Sequence, residues 1–252
     1  MLWTLAAFAP AGTPFRTALF LPGTFAPGFV AVWLMQRAEG SVGRRALIDQ
    51  AVKWQVPGRW YLFALLYIAV IKLVAAVVHR VITGEWVPLV ERNPWPLFLL
   101  ATLVFFPVQA GEELGWRAYA LPRMAARLGL GGAAILLGLL WAGWHLPLFL
   151  LPETDLTDLS FPLYVLTVMP ISVAMAWLYA RSGQSLLVVM LLHAAANNTP
   201  HFVPPPTGES PFEWNASLIQ VITMVLLWIG AGYFLVRMRK VTLHEPVPAP
   251  VS

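Results

Sequence analysis

The sequence predicts an all-α protein: a polytopic transmembrane bundle of seven helices, or eight if the N-terminal segment forms one more, around an intramembrane cavity. Of the 252 residues, 59% are hydrophobic and only 11% are charged, whereas soluble domains carry about 25% charged residues. A deficit of this size over the whole chain indicates that lipid is the main solvent. The chain has no cysteine, which excludes thiol nucleophiles, disulfides and thiolate metal ligands.

Seven apolar stretches approach the length of about 20 helical residues that a bilayer requires. They cover residues 20–36, 60–82, 95–110 with an extension towards 121, 132–151, 161–180, 185–197 and 217–238. The sixth is short, so we expect it to be buried among the other helices or to begin within a thick turn. Residues 20–240 are predicted to form one domain. It follows an N-terminal segment, 1–19, that is either interfacial or a reduced first helix, and precedes a disordered Pro-rich cytoplasmic tail, 241–252.

The basic residues alternate between the predicted loops. Twelve Lys and Arg fall in one set of loops and three in the other, with Lys72 inside a predicted helix. By the positive-inside rule the first set is cytoplasmic, which gives a plasma-membrane protein with its N-terminus outside and its C-terminus in the cytoplasm. The net charge of +4 therefore follows membrane topology and does not indicate a nucleic-acid partner.

Three of the apolar stretches carry polar side chains that lipid should exclude. These are Glu112 and Glu113 in the third, His145 in the fourth, and His193 and Asn197 in the sixth. At about 1.5 Å per residue, Glu112 and His193 lie roughly 14 Å, and His145 roughly 20 Å, from the cytoplasmic ends of their helices. These depths fall in one slab of the membrane, so the sequence predicts that the side chains meet in a single intramembrane site.

The spacing of the polar residues separates their roles. Glu113 and Arg117 are four residues apart in the favourable order for an ion pair, which makes them structural support and leaves Glu112 free. His193 and Asn197 are also four apart, so an imidazole and a carboxamide project from one helix face as hydrogen-bond donors.

The residue types narrow the chemistry further. The aspartates lie in predicted loops and no H-E-x-x-H motif is present, which leaves water activated by Glu112 and an imidazole, with donors for the oxyanion. Taken singly, His145 also fits a bond to a neighbouring carbonyl, and Asn197 a helix–helix contact. Two non-proteolytic functions stay open: a membrane scaffold or immunity-type protein, and a proton-coupled transporter in which Glu112 and His145 relay protons.

Three motifs in order resemble those of a known family. Residues 112–117 read E-E-L-G-W-R and match E-E-x-x-x-R; residues 141–145 read W-A-G-W-H and match F-x-x-x-H with Trp in place of Phe; residues 193–197 read H-A-A-A-N and match H-x-x-x-N. Each motif is weak alone, but the ordered set resembles the CAAX prenyl protease and bacteriocin-processing (CPBP) family of intramembrane proteases. Members of that family often have eight spans.

The resemblance implies an intramembrane endopeptidase that acts near the cytoplasmic face, as CAAX prenyl proteases do. Glu112 and His145 would polarise the attacking water, His193 and Asn197 would hold the oxyanion, and the Glu113–Arg117 pair would brace the helix. The expected substrate is a peptide or a prenylated or membrane-anchored protein in contact with membrane lipid, with no nucleic acid. We expect no cofactor; in the alternative metalloprotease version, Glu112, His145 and His193 would bind zinc.

Overall fold

The computed structural model describes residues 3–5, 13–87, 95–151, 156, 159–199 and 210–243. Within these ranges the regular structure is helical and no strand occurs, so the predicted helical bundle is confirmed. The α-helices are α1 Pro14–Ala51, α2 Gly58–Thr83, α3 Trp95–Phe105, α4 Ala110–Glu113, α5 Leu121–His145, α6 Phe161–Arg181, α7 Leu186–Asn198 and α8 Leu218–Met238. Every predicted apolar stretch overlaps one of them.

The largest difference from the sequence-based expectation is at the N-terminal side. The first helix begins at Pro14 instead of residue 20 and continues to Ala51, with a break at Gly40, whose φ is 63°. Its second part carries arginines outside the predicted apolar stretch. Residues 1, 2 and 6–12 of the segment 1–19 and most of the tail 241–252 lie outside the described residues, so the eighth helix and the disordered tail stay predictions.

Among the described residues, four helical runs are long and apolar enough to cross a membrane: Gly58–Thr83, Leu97–Leu150, Phe161–Arg181 and Leu218–Met238. The second has 54 residues, about 80 Å at 1.5 Å per residue, which far exceeds a hydrocarbon core of about 30 Å. Gly129 divides it, because its φ of 68° and ψ of 162° are not helical and only glycine adopts them without strain. The break divides the run into two segments, which agree with the third and fourth predicted apolar stretches.

The short helix α7 lies at the centre of the bundle. It has 13 residues, too few to span a bilayer alone, and it packs against α2, α3 and α6. Its side chains from Leu186 to Ala195 are almost all buried. The prediction that this helix is buried among the others is confirmed. Because protein surrounds it, the helix does not need to be as long as the bilayer is thick.

A close crossing of backbones positions the acidic pair. Helix α1 meets α4 and the π-helical turn that follows it, Leu114–Ala120. A Cβ atom added at Gly111 would lie 2.5 Å from Phe25 Cδ1, and one at Gly115 would lie 2.5 Å from Pro27 Cβ. Since glycines four residues apart let two membrane helices approach closely, the two glycines on either side of the glutamates fix the depth and rotation of that segment against α1.

Candidate active site

The two adjacent glutamates lie where the helix changes its geometry. A 3₁₀ turn, Phe106–Gln109, precedes α4, and a π-helical turn follows it. Such π segments are frequent at functional sites because they re-aim side chains without ending the helix. Glu112 and Glu113 are both buried, and they reach different partners.

Glu113 is a carboxylate with two hydrogen-bond donors on one of its oxygens. Its Oε1 accepts hydrogen bonds from Arg117 Nη1 and from His193 Nδ1, each at 2.8 Å. The side chains of Glu113 and Arg117 are both 0% exposed, and the guanidinium lies 4.3 Å above the Trp141 ring. The i, i+4 pair expected from the sequence is present. Its link to His193 was not foreseen, because it joins residues 80 positions apart in the chain.

Glu112 has a neutral partner. Its Oε2 accepts a hydrogen bond of 2.7 Å from the indole Nε1 of Trp141. The Trp141 carbonyl in turn accepts a hydrogen bond of 2.8 Å from His145 Nδ1, and the Trp141 ring stands edge-on to His193 with the centroids 5.1 Å apart. Trp141 therefore contacts all three of the titratable residues predicted for the site. The sequence marked it only as the first position of the second motif.

His145 is enclosed by aromatic rings. Four ring centroids lie 5.0 to 5.7 Å from its imidazole: Trp3, Trp141, Trp144 and Tyr164. The imidazole is close enough to the Glu112 carboxylate for a direct electrostatic interaction, although no hydrogen bond joins Glu112 to either histidine. Nothing in the sequence pointed to Trp3, which is buried and packs 3.9 Å from Trp144.

Asn197 departs from the expected arrangement. His193 is buried, whereas Asn197, one turn further along α7, is exposed and forms no hydrogen bond with any residue in the described ranges. The structure therefore brings Glu112, Glu113, Arg117, His145 and His193 together and leaves Asn197 at their edge.

The hydrogen bonds determine which nitrogen of each imidazole carries a hydrogen. A backbone carbonyl can only accept, so His145 Nδ1 is the donor to Trp141. Glu113 beside Arg117 is ionised and also only accepts, so His193 Nδ1 is the donor there. Each neutral ring therefore presents the lone pair of Nε2, as a general base does.

The described residues do not form a preorganised metal-binding cluster. Within the described residues, no three His, Asp or Glu side chains are grouped so that they could hold a metal ion. Glu113 Oε1 is already used by Arg117 and His193. The ligand set of the zinc alternative, Glu112, His145 and His193, is not assembled as a cluster.

Comparison with known proteins supports the motif assignment. Residues 92–199 match the Rce1-like family model, described as type II CAAX prenyl endopeptidase Rce1-like, and this range contains every candidate residue. This segment is therefore similar to a family of prenyl endopeptidases, in agreement with the three CPBP-like motifs. Over 107 residues the chain is 29% identical to "CAAX prenyl protease 2" of the archaeon Methanococcus maripaludis.

The match to the archaeal protein is partial. It covers 40% of this chain and 38% of that protein. Trp141 occupies a position that is usually Phe in CPBP sequences. Phe has no N–H, so the bond to Glu112 depends on the tryptophan present in this chain.

Proposed function

We propose that this protein is an intramembrane endopeptidase that hydrolyses a peptide bond near the cytoplasmic face of the membrane, without a metal ion. The observation that carries the proposal is a buried carboxylate, Glu112, held by a neutral indole donor beside the His145 imidazole. A charged carboxylate in the interior of a membrane bundle costs free energy, so its presence there indicates a functional site. The similarity of residues 92–199 to type II CAAX prenyl endopeptidases supports this reaction class.

In the proposed mechanism, Glu112 and His145 polarise a water molecule, whose oxygen attacks the scissile carbonyl carbon. The proton released by the water passes to Glu112 or to His145 Nε2 and is then returned to the leaving amine. His193 and Asn197 hold the oxyanion. Because His193 Nδ1 donates to Glu113, Nε2 can donate to the oxyanion only when the ring carries both protons.

The proposed substrate is a protein or peptide whose C-terminal region is held at the membrane, with a prenylated CAAX tail as the first candidate. The archaeal relative is named as a CAAX prenyl protease, and a prenyl group would bring such a tail to the lipid-exposed surface of the bundle. The proposal includes the topology inferred from the basic loops, with the C-terminus on the cytoplasmic side of the plasma membrane.

The test is cleavage of a farnesylated CAAX peptide by the purified protein, followed by mass spectrometry. Glu112→Gln removes the base while keeping the size of the side chain, so we expect kcat to fall by at least about 10²-fold, in the range for loss of a general base. The matched control is Glu213→Gln, because Glu213 is an exposed glutamate outside the helices. Cleavage by Glu112→Gln at the parent rate would overturn the proposal.

A further inference from the structure

Tyr164 is a polar residue at the site that the sequence motifs do not mark. It lies on α6, and its ring centroid is 5.7 Å from that of His145 and 5.1 Å from that of Phe149. It is also close enough to the Glu112 carboxylate for a direct electrostatic interaction. Tyr164 therefore borders the space between the two residues that are proposed to activate water.

The ring contacts of Tyr164 do not account for its hydroxyl. A phenylalanine would make the same edge contacts with His145 and Phe149. The hydroxyl, however, forms no hydrogen bond with any residue that the structure describes. Tyr164 is half-buried, so its hydroxyl hydrogen is available to a ligand that accepts it.

The hydrogen-bond inventory of the site shows what is missing. Attack of water on an amide places negative charge on the carbonyl oxygen, which requires donors at about 2.7–3.1 Å. Glu112 is an acceptor, and His145 and His193 present Nε2 lone pairs when neutral. Asn197 is exposed. Tyr164, which is half-buried, is thus a neutral donor beside this space with its hydrogen still available.

We propose that Tyr164 is a further catalytic residue, whose hydroxyl donates a hydrogen bond to the carbonyl oxygen of the scissile peptide bond as negative charge develops there. The hydroxyl keeps its proton throughout and forms no covalent bond. This inference rests on the proposed peptidase function and adds a donor on α6 to those expected on α7.

Tyr164→Phe removes only the hydroxyl, which makes it the appropriate variant. Loss of one oxyanion donor lowers kcat by about 10²-fold or more. KM should stay within about twofold of the parent value, because the interaction is made only in the transition state. The thermal unfolding temperature should not fall, since the ring contacts are kept.

The control is Tyr67→Phe. Tyr67 lies on α2 and its hydroxyl is buried without a hydrogen-bond partner in the described ranges, but its ring packs on Phe63 and Phe234, away from the catalytic side chains. We expect this variant to keep the parent kcat. An equal loss of kcat in both variants would mean that removal of any tyrosine hydroxyl from the bundle, and not loss of oxyanion stabilisation, causes the effect. That result would overturn the inference.

A parallel assay of Glu112→Gln distinguishes failure of the peptidase function from failure of the catalytic role of Tyr164. If Glu112→Gln is inactive and Tyr164→Phe keeps its kcat, or changes only KM or stability, Tyr164 is not catalytic and the peptidase proposal stands. If Glu112→Gln cleaves like the parent, or the parent cleaves nothing, the peptidase proposal fails and the role of Tyr164 fails with it. A selective loss of kcat in Tyr164→Phe, together with an inactive Glu112→Gln, supports both.

Discussion

Replacement of Glu113 by glutamine tests the electrostatic account of the site most directly. Glu113→Gln keeps an oxygen whose two lone pairs can accept hydrogen bonds, but it removes the negative charge that two donors share at 2.8 Å. Arg117 would then be a fully buried cation without its ion-pair partner, left with the Trp141 ring, Met175 Sδ at 3.4 Å and the electrostatic interaction with Glu112.

The size of the effect follows from burial. Breaking a buried ion pair by removing one partner costs about 3–5 kcal/mol, because the other charge stays uncompensated. For a chain of this length each kcal/mol shifts the unfolding temperature by about 2–4 °C. We therefore expect Glu113→Gln to unfold about 10 °C below the parent. The measurement is thermal unfolding in detergent, followed through the fluorescence of the 12 tryptophans.

A second carboxylate–arginine pair provides the control. Arg123 Nη2 and Glu39 Oε1 are 3.6 Å apart, and their side chains are 37% and 16% exposed. Pairs with this degree of solvent access contribute about 0–1 kcal/mol, so Glu39→Gln should lower the unfolding temperature by no more than about 4 °C. Equal shifts for Glu39→Gln and Glu113→Gln would refute the argument that burial sets the cost.

A double variant identifies the source of the loss. If the unpaired Arg117 cation causes the destabilisation, Glu113→Gln combined with Arg117→Met should be more stable than Glu113→Gln alone, since an apolar replacement of both partners is often neutral. Destabilisations that simply add would show that the two side chains act independently, contrary to the shared hydrogen bond.

Three further outcomes follow from the contacts around the glutamates. Trp141→Phe removes the indole donor to Glu112 but keeps an aromatic ring, so kcat should fall by about tenfold, the value of one hydrogen bond to a charged group; an unchanged kcat would mean that this bond does not orient the base. Gly111→Ala places a methyl group 2.5 Å from Phe25 Cδ1 and should lower the yield of folded protein, whereas Gly232→Ala on α8, with nothing within 4 Å, should not. The yields are measured by size-exclusion chromatography, and equal yields for the two variants would contradict the close crossing of the helices. Protein stripped of metal, as verified by elemental analysis, should keep its peptidase activity, and a loss reversed only by zinc would favour the metal-dependent alternative.

The sequence predicted those parts of the fold that depend on local pattern. Apolar length located the helices, and the i, i+4 spacing located the Glu113–Arg117 pair. It could not place the break in the helical run Leu97–Leu150, because residues 129, 131 and 132 are all glycine. Only the packing of the two halves decides which of these glycines takes a positive φ. The structure puts the break at Gly129.

The partners of the glutamates were beyond sequence reasoning for a different reason. A helix position indicates which residues share a face, but not which side chain on another helix it meets. His193 was expected to act with Asn197 on its own helix, yet its closest bond is to Glu113 across the bundle. Trp141 looked like an apolar variant of a motif position, although its indole N–H is the donor that holds Glu112.

Different partners explain how two neighbouring carboxylates can have different functions. Glu113 is bound through Oε1 to a buried arginine and to an imidazole N–H, so its charge has a cationic partner. Glu112 is held by a neutral indole, which orients the carboxylate without cancelling its charge. Because environment sets the role of each acid in a pair, we propose that Glu112 takes the proton from water and that Glu113 is the counter-charge that orients His193. Both residues are glutamates, so the difference between their roles comes from their hydrogen-bond partners and not from the acids themselves.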